Sequence, residues 1–215
     1  IVSTPTATGL ADGEWHRGAG TITFAADDNT GVRVRRLVEG GTVLASATAP
    51  GPQAGGCGVT NVGDAYTYAQ PCAGDRGLNG VRDVAVADVC AWGDGERTVR
   101  ASAEDTGGAR STSEGAVTVK VDCTPPVVSV GPSTERDVLA GTPVAPVDLA
   151  ASDQRVAVVG TEVQVQQGTG DWKPYVAPIP AAAGSSYRFR ARATDAVGNV
   201  SAWSAPSAWT RGRLA

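Results

Sequence analysis

The sequence predicts an all-β protein with two related β-sandwich domains in tandem, and a repeated phrase is the main reason. Residues 98–108 read TVRASAEDTGG and residues 188–198 read RFRARATDAVG, so small apolar residues alternate with polar ones in both copies. Period-two alternation that ends in Asp-x-x-Gly is typical of a half-buried strand running into a hairpin. A second pair, FAADD at residues 24–28 and LAASD at residues 149–153, is offset by 125 positions instead of 90. The difference predicts an insertion of about 35 residues in the first copy.

Composition supports the same fold class. The 215 residues include 28 Gly and 13 Pro but no Met, which favours short strands and turns over helices. The chain is long enough for two domains of about 100 residues, each with its own core. The net charge of -4, with both signs interspersed, and the lack of a long apolar run predict neither nucleic-acid binding nor membrane insertion. The first residues lack a signal-peptide pattern, so we expect a processed or excised piece.

The domain boundary is expected at residues 119–130, VKVDCTPPVVSV, where two prolines separate two β runs. The first domain is then residues 1–124 and the second residues 126–215. Predicted strands lie near residues 21–26, 32–39, 43–47, 83–89, 97–104 and 116–122, and then near 127–130, 147–152, 160–166, 187–194 and 207–211. Their number and spacing approach those of an immunoglobulin-like sandwich.

Several segments carry a family resemblance. Residues 184–204, GSSYRFRARATDAVGNVSAWS, resemble the later strands of fibronectin type III and bacterial Ig-like modules. Tyr187 then occupies the tyrosine corner, with its ring packed and its hydroxyl bonded to the backbone. Residues 28–47, 93–108 and 119–126 resemble the Ig-like repeats of large secreted actinobacterial proteins. Together these matches cover about two thirds of the chain and imply two tandem immunoglobulin-like or fibronectin III-like β-sandwiches.

The resemblance implies a non-enzymatic, extracellular structural or adhesive segment of a larger bacterial surface or secreted protein, without a cofactor. Its expected partners are cell-surface or matrix glycans or proteins and neighbouring Ig-like modules. Two alternatives stay open. One is a carbohydrate-binding accessory module of a secreted hydrolase. The other is a self-assembling filament subunit, in which the N-terminal residues IVSTPTATG would add to the sheet edge of a neighbour.

The four cysteines favour disulfides over zinc, because their number is even, no Cys-x-x-Cys pair exists and only one His is present. Cys57 and Cys72 lie in the insertion, at about residues 51–79, and could staple it, which is worth about 3 kcal/mol for a loop of about 15 residues. Cys90 and Cys123 would then tie a middle strand to the final strand. The two other pairings remain possible on sequence alone.

No catalytic constellation is predicted. His16 is the only imidazole that could serve a nucleophile, and we interpret it as structural. Asp27 and Asp28 are adjacent at a strand end, so they read as turn or cap residues rather than an acid/base pair.

Acidic turns offer weak calcium candidates, namely Asp105, Asp122 and Asp153, with the last two near the domain junction. The competing interpretation for Asp105 and Asp195 is that each carboxylate binds amides of its own turn. We predict no metal site.

Aromatic residues are the remaining candidates for ligand binding. Trp172 and Tyr175 could stack on sugars, whereas Trp203 and Trp209 are expected to cover the end of a small core. In the insertion, Tyr66 and Tyr68 would point to one side of an extended chain and form a recognition surface. The Asn199-Val-Ser triplet matches a glycosylation acceptor but is interpreted as part of a turn.

Overall fold

A computed structural model describes residues 1–49, 58–62, 65–70 and 77–214, and for 58–62 and 65–70 it describes the backbone only. The chain divides into two compact units, Ile1–Cys123 and Thr124–Ala215. The division falls one residue before the expected end of the first domain. Within the described residues, no helix is both long and apolar enough to cross a membrane.

The first unit is built from short strands joined by turns. Its 3-10 helices lie at Gly9–Ala11 and Val89–Trp92. Its strands are β1 (Trp15–His16), β2 (Gly20–Ala26), β3 (Val32–Glu39), β4 (Thr42–Thr48), β5 (Gly58–Val62), β6 (Ala65–Gln70), β7 (Gly80–Val86), β8 (Gly95–Asp105), β9 (Arg110–Thr112) and β10 (Val117–Val121).

These strands form an immunoglobulin-like sandwich. One sheet pairs β2 with β7, and the other has the order β1-β10-β8-β3-β4, with β9 also paired to β8. Because side chains alternate across each strand, the inward positions of both sheets meet in one core. That core includes Ile22, Phe24, Val84, Val86, Leu37, Val99, Ala101, Val119 and Val121.

The predicted insertion contains structure of its own. β5 and β6 pair with each other as an antiparallel hairpin, where the sequence predicted a loop. The following strand, β7, starts at Gly80, three residues ahead of the predicted start at residue 83.

The second unit is a smaller sandwich of the same kind. Its strands are β11 (Val127–Gly131), β12 (Arg136–Leu139), β13 (Pro143–Val144), β14 (Val147–Ser152), β15 (Val158–Gln167), β16 (Lys173–Pro174), β17 (Ile179–Pro180), β18 (Ser186–Asp195) and β19 (Thr210–Arg213). The large sheet has the order β12-β19-β18-β15-β16, and the pairs β11-β14 and β13-β17 lie apart from it.

Strand β18 shows the predicted alternation over its whole length. Tyr187, Phe189, Ala191 and Ala193 are buried, and the residues between them are only partly buried. Tyr187 and Phe189 join Val144, Val165 and Ala181 in the core. The Tyr187 side chain is 1% exposed and its hydroxyl accepts a 3.0 Å hydrogen bond from the amide of Ala182. The predicted tyrosine corner is therefore confirmed.

Candidate functional sites

Each unit pairs a strand near its N-terminal end, β1 or β12, with its own final strand in parallel. In the first unit β1 lies beside β10, with Trp15 opposite Lys120, and the amide of Asp122 extends the ladder by donating to the carbonyl of His16 at 3.0 Å. When tension acts on the N-terminal end of one strand and on the C-terminal end of its parallel neighbour, the two strands must slide along each other. All the evenly spaced hydrogen bonds between them are then loaded together. We call such a pair a terminal clamp.

The second unit has a longer terminal clamp. β12 and β19 are in register from Arg136 opposite Thr210 to Leu139 opposite Arg213. Hydrogen bonds extend the pairing at both ends, from the amide of Arg136 to the carbonyl of Trp209 at 3.0 Å and from the amide of Ala140 to the carbonyl of Arg213 at 2.8 Å. Ion pairs of Arg211 with Glu135 and of Arg213 with Asp137 also cross it, but these side chains are exposed and add little.

A disulfide closes the end of the first unit. Cys90 and Cys123 are bonded, with their Cα atoms 5.7 Å apart, which confirms this predicted pair. Cys90 lies in the 3-10 helix Val89–Trp92 rather than in a middle strand, and this helix is capped by Asp88, which accepts from the Cys90 amide at 2.9 Å. The predicted staple between Cys57 and Cys72 lies outside the described residues.

A buried arginine supports the chain on the C-terminal side of the insertion. Arg35 is 0% exposed, lies 4.8 Å from the centre of the Phe24 ring, and donates to the carbonyls of Phe24 at 2.5 Å and Leu78 at 2.8 Å, and to that of Gly80. Burial, followed by the charge of Arg82, lowers the pKa of Arg35 to about 10. Since its donors bind backbone carbonyls, the cation fixes residues 78–80 to β2 and β3.

A second buried charge lies on the outer side of β8. Glu104 is 1% exposed and accepts from Arg36 at 2.8 Å, from Arg110 at 2.6 Å and from Arg33. Burial raises the pKa of Glu104, but the hydrogen bonds from Arg36, Arg110 and Arg33 outweigh it and lower the pKa to about 2. The carboxylate therefore ties β3, β8 and β9 together as an anion.

The outer face of the second unit carries alternating arginine and tryptophan side chains, which we call the ladder. Guanidinium carbons lie 4.5 to 5.5 Å from ring centres, which is the range of cation–π contacts. The contacts run in the order Trp209, Arg188, Trp172, Arg190, Trp203 and Arg192.

Strand β15 holds the arginines of the ladder in place. Gln166, Gln164 and Glu162 are directly opposite Arg188, Arg190 and Arg192 in register. The three arginines donate to these side chains at 2.6, 2.7 and 2.8 Å, respectively. The planar guanidinium groups are thus oriented from one side while the indole rings stack on them.

Sequence reasoning expected Trp203 and Trp209 at the end of the core, which is wrong, because both lie against outward arginines of β18. Trp172 is covered by Arg188 and Arg190. The rings of Tyr175 and Phe189 pack edge to face, with their centres 5.5 Å apart. Burial raises the pKa of the Tyr175 hydroxyl.

The nine residues that precede β19, residues 201–209, are here called the strap. Its sequence is Ser-Ala-Trp, Ser-Ala-Pro, Ser-Ala-Trp, so a serine recurs every third position. Ser201, Ser204 and Ser207 bind Ala193, Ala191 and Phe189 of β18 through backbone and hydroxyl groups. The strap therefore has three residues for every two of the strand, like a β-bulge repeated along the pair.

The acidic candidates mainly serve their own turns. Asp105 accepts from the amide of Ala109 at 2.9 Å, and Asp195 accepts from the amides of Val197 and Asn199, as the turn interpretation predicted. Asp153 in the second unit likewise accepts from Arg155 and Val156. In the first unit, Asp105 and Asp122 lie near opposite ends of β8, so the structure does not bring these two together.

The other sequence candidates have local partners. His16 is 2.8 Å from a carboxylate oxygen of Asp12, which also accepts from the Glu14 amide, and these two hydrogen bonds lower the pKa of Asp12. Asn199 is buried and its amide group donates to Asp195 at 2.8 Å, so it acts as the turn residue expected. The backbones of Tyr66 and Tyr68 lie in β6 opposite Asn61 and Thr60.

The N-terminal segment pairs with its own sandwich. Val2 forms a β-bridge with Ala26, and the amides of Ser3 and Thr6 donate to β2 carbonyls at 2.9 Å. Donation of these residues to a neighbour would first require breaking this pairing, so the structure does not favour the filament alternative.

A shallow cleft lies at the edge of β15. Two aromatic side chains, Tyr175 and Trp203, line it together with polar Thr161, Glu162 and Gln164 and with Pro174. Aromatic faces beside a few polar groups are typical of small-ligand sites.

The sheet orders and cores define the chain as a tandem of immunoglobulin-like, fibronectin III-like sandwiches. No family model matches it, and no curated protein matches it. Among solved structures, the chain is similar to the fibronectin(III)-like modules of Clostridium thermocellum CbhA, with 14% identity, TM-score 0.33 and coverage of 93% of this chain and 88% of that one. It is also similar to the sialic acid binding region of a Streptococcus sanguinis SK1 adhesin, with 12% identity, TM-score 0.29 and coverage of 94% and 75%. Because these TM-scores are low, the assignment of fold rests on the sheets alone.

Proposed function

We propose that the chain is a load-bearing spacer, a non-enzymatic extracellular segment of a larger bacterial surface or secreted protein that holds a binding element away from its anchor. The observation that carries this proposal is the terminal clamp, which occurs in both units. End-to-end tension first loads the segments ahead of the clamps, which are residues 1–6 on β2 and β11 on β14. Once these segments detach, the load crosses each parallel pair in shear. If the force acted instead on adjacent ends of the two paired strands, their hydrogen bonds would break one at a time.

The disulfide supports the same role. Tension that enters the first unit from residue 124 reaches Cys123 and passes through the sulfur bridge to Cys90. After the clamp of the first unit ruptures, the closed bridge keeps the residues between the two cysteines, which include β8 and β10, from being extended. A structural disulfide of this kind belongs to an oxidising compartment, which supports an extracellular location.

For adhesion, we propose the insertion as the recognition element, with Tyr66 and Tyr68 as its contact residues. Support comes from its attachment, because Asn79 accepts from the Val32 amide at 2.7 Å and donates to the Asp28 carbonyl at 2.8 Å, next to the Arg35 contacts. Loops on a rigid scaffold commonly carry recognition. Replacing residues 56–73 with a short Gly/Ser linker should abolish binding to bacterial or host cell surfaces while the sandwich stays folded. Unchanged binding would contradict this assignment.

Single-molecule stretching of the full chain between its two ends tests the spacer proposal. We expect two separate rupture events, one for each unit, because each clamp fails cooperatively. Extension without distinct force peaks would contradict a load-bearing role.

The cleft at the edge of β15 favours a second candidate function, the binding of a short glycan by Tyr175 and Trp203. A glycan array with the full chain tests it. Trp203→Ala should remove the signal, whereas Trp209→Ala, a ladder residue that does not line the cleft, should retain it. Equal loss in both variants would show that the ladder, not the cleft, is responsible.

A further inference from the structure

The strap is bound to β18 by a regular set of hydrogen bonds. At each serine the backbone amide donates to a β18 carbonyl, at 2.9 Å for Ser201 and 2.7 Å for Ser204 and Ser207. Each serine hydroxyl accepts from the amide of the same β18 residue, at 2.9 to 3.0 Å. Three two-bond rings therefore fasten nine residues that have no regular secondary structure.

The ladder fastens the strap a second time. Trp203 and Trp209 come from the strap, and their rings lie 4.5 to 4.9 Å from Arg188, Arg190 and Arg192 of β18. Those arginines are in turn bonded to β15. Lifting the strap would break stacking and hydrogen bonds in the same step, so the strap should open as one unit.

Strand β19 depends on this attachment. Its register with β18 covers two residue pairs, Ser186 opposite Arg211 and Tyr187 opposite Thr210. Gly212 extends this pairing through backbone hydrogen bonds with Gly184 and Ser185, and β12 is the neighbour on the other side. The strap leads directly into β19, and its last residue, Trp209, accepts from the amide of Arg136 at the start of the clamp.

We propose that the strap is a latch for the terminal clamp of the second unit, so that β19 can leave β12 only after the strap has left β18. The consequence under tension rests on the proposed spacer function. The latch itself is defined without force, since local opening can be measured at equilibrium.

Hydrogen exchange of the full chain, followed by mass spectrometry, tests the latch. Ser207→Ala removes the acceptor for the Phe189 amide next to β19, and we expect exchange of the strap and of residues 210–213 to accelerate together by about tenfold, the effect of one lost buried hydrogen bond. β15 and the strands of the first unit should exchange as before. Ser129→Ala, at an exposed position of β11, is the matched control and should change nothing.

Two results would overturn the latch. In the first, the strap exchanges faster but residues 210–213 keep their protection, which would show that the strap opens without releasing β19. In the second, β15 loses protection to the same extent, which makes the strap an ordinary part of one cooperative core. Arg190→Lys is the second variant, because it keeps the charge but loses the planar group on Trp203, and it should give the same pattern more weakly. These readouts involve no tension, so a failure of the spacer function would leave them unchanged.

Discussion

Cys90 and Cys123 lie 33 positions apart in the sequence and are joined by a disulfide at the C-terminal boundary of the first unit. The amide of Cys123 also donates to Asp94 at 2.9 Å, so the exit of the chain is bonded on both sides of the 3-10 helix. Val89 and Trp92 anchor that helix in the core. Force that arrives from the linker at Cys123 therefore reaches the core through the 3-10 helix as well as through β10.

The disulfide should shorten the length released when the first unit ruptures. An extended chain spans about 3.5 Å per residue, so the 33 positions between the cysteines correspond to about 12 nm. The variant Cys90→Ser with Cys123→Ser should lengthen the rupture step of the first unit by that amount in single-molecule stretching. The rupture step of the second unit serves as the internal control. An unchanged step length for the first unit would show that the disulfide does not keep residues 90–123 from being extended.

The stability of the first unit should fall in acid because of Glu104. Its pKa of about 2 in the folded state is below the ordinary value of 4.5, so the ionised form stabilises the fold. This contribution is complete above about pH 4.5 and is lost as the pH falls towards 2, and it amounts to at most about 3 kcal/mol. Denaturant unfolding at pH 7 and pH 3 measures it.

Glu104→Gln should remove most of this pH dependence and lower the stability of the first unit at pH 7. Glu162→Gln, whose side chain is 57% exposed in the second unit, is the matched control and should leave the first unit unaffected. If the free energy of unfolding of Glu104→Gln changed with pH in parallel with that of the parent chain, other carboxylates would be the cause of the acid sensitivity.

Loss of the tyrosine-corner hydroxyl should destabilise the second unit. Tyr187→Phe removes the acceptor for the Ala182 amide and should cost about 1 kcal/mol in free energy of unfolding. Tyr175→Phe is the control, because in the described part of the chain its hydroxyl has no hydrogen-bond partner. Thermal or denaturant unfolding compares the stabilities of the two variants. An equal loss in both would show that the hydrogen bond of the Tyr187 hydroxyl does not stabilise the second unit.

Much of the fold was predictable because alternation and turn residues are local signals. The predicted strands at residues 32–39 and 147–152 coincide with β3 and β14. Two-residue strands such as β13, β16 and β17 leave no pattern in the sequence, since their pairing depends on the tertiary fold.

Arg35 was missed for a specific reason. The register of β3 against β8 shifts between Val32 and Val34, and such a bulge changes which face the later residues occupy. Arg35 and Leu37 therefore point into the core, although simple alternation from Val32 would place them outside.

The ladder and the strap were visible in the sequence but had no matching template. Arginines at 188, 190 and 192 alternate as outward residues of a strand should. The serine period of three in the strap matches neither the strand period of two nor the helix period of 3.6, so it gave no signal for the strap. The sequence therefore predicted that the last strand begins near residue 207, inside the strap. Observed β19 starts at Thr210, after the strap ends.

The direction of pulling tests the central claim most directly, because a terminal clamp is strong in shear and weak in unzipping. One handle pair is placed at the two chain ends. The other is placed at residue 142, just after β12, and at the C-terminus, so that β12 and β19 are peeled from their adjacent C-terminal ends. We predict that the second unit ruptures at a clearly higher force when stretched from its ends than when peeled. Equal forces in the two directions would contradict the terminal clamp as the load-bearing element.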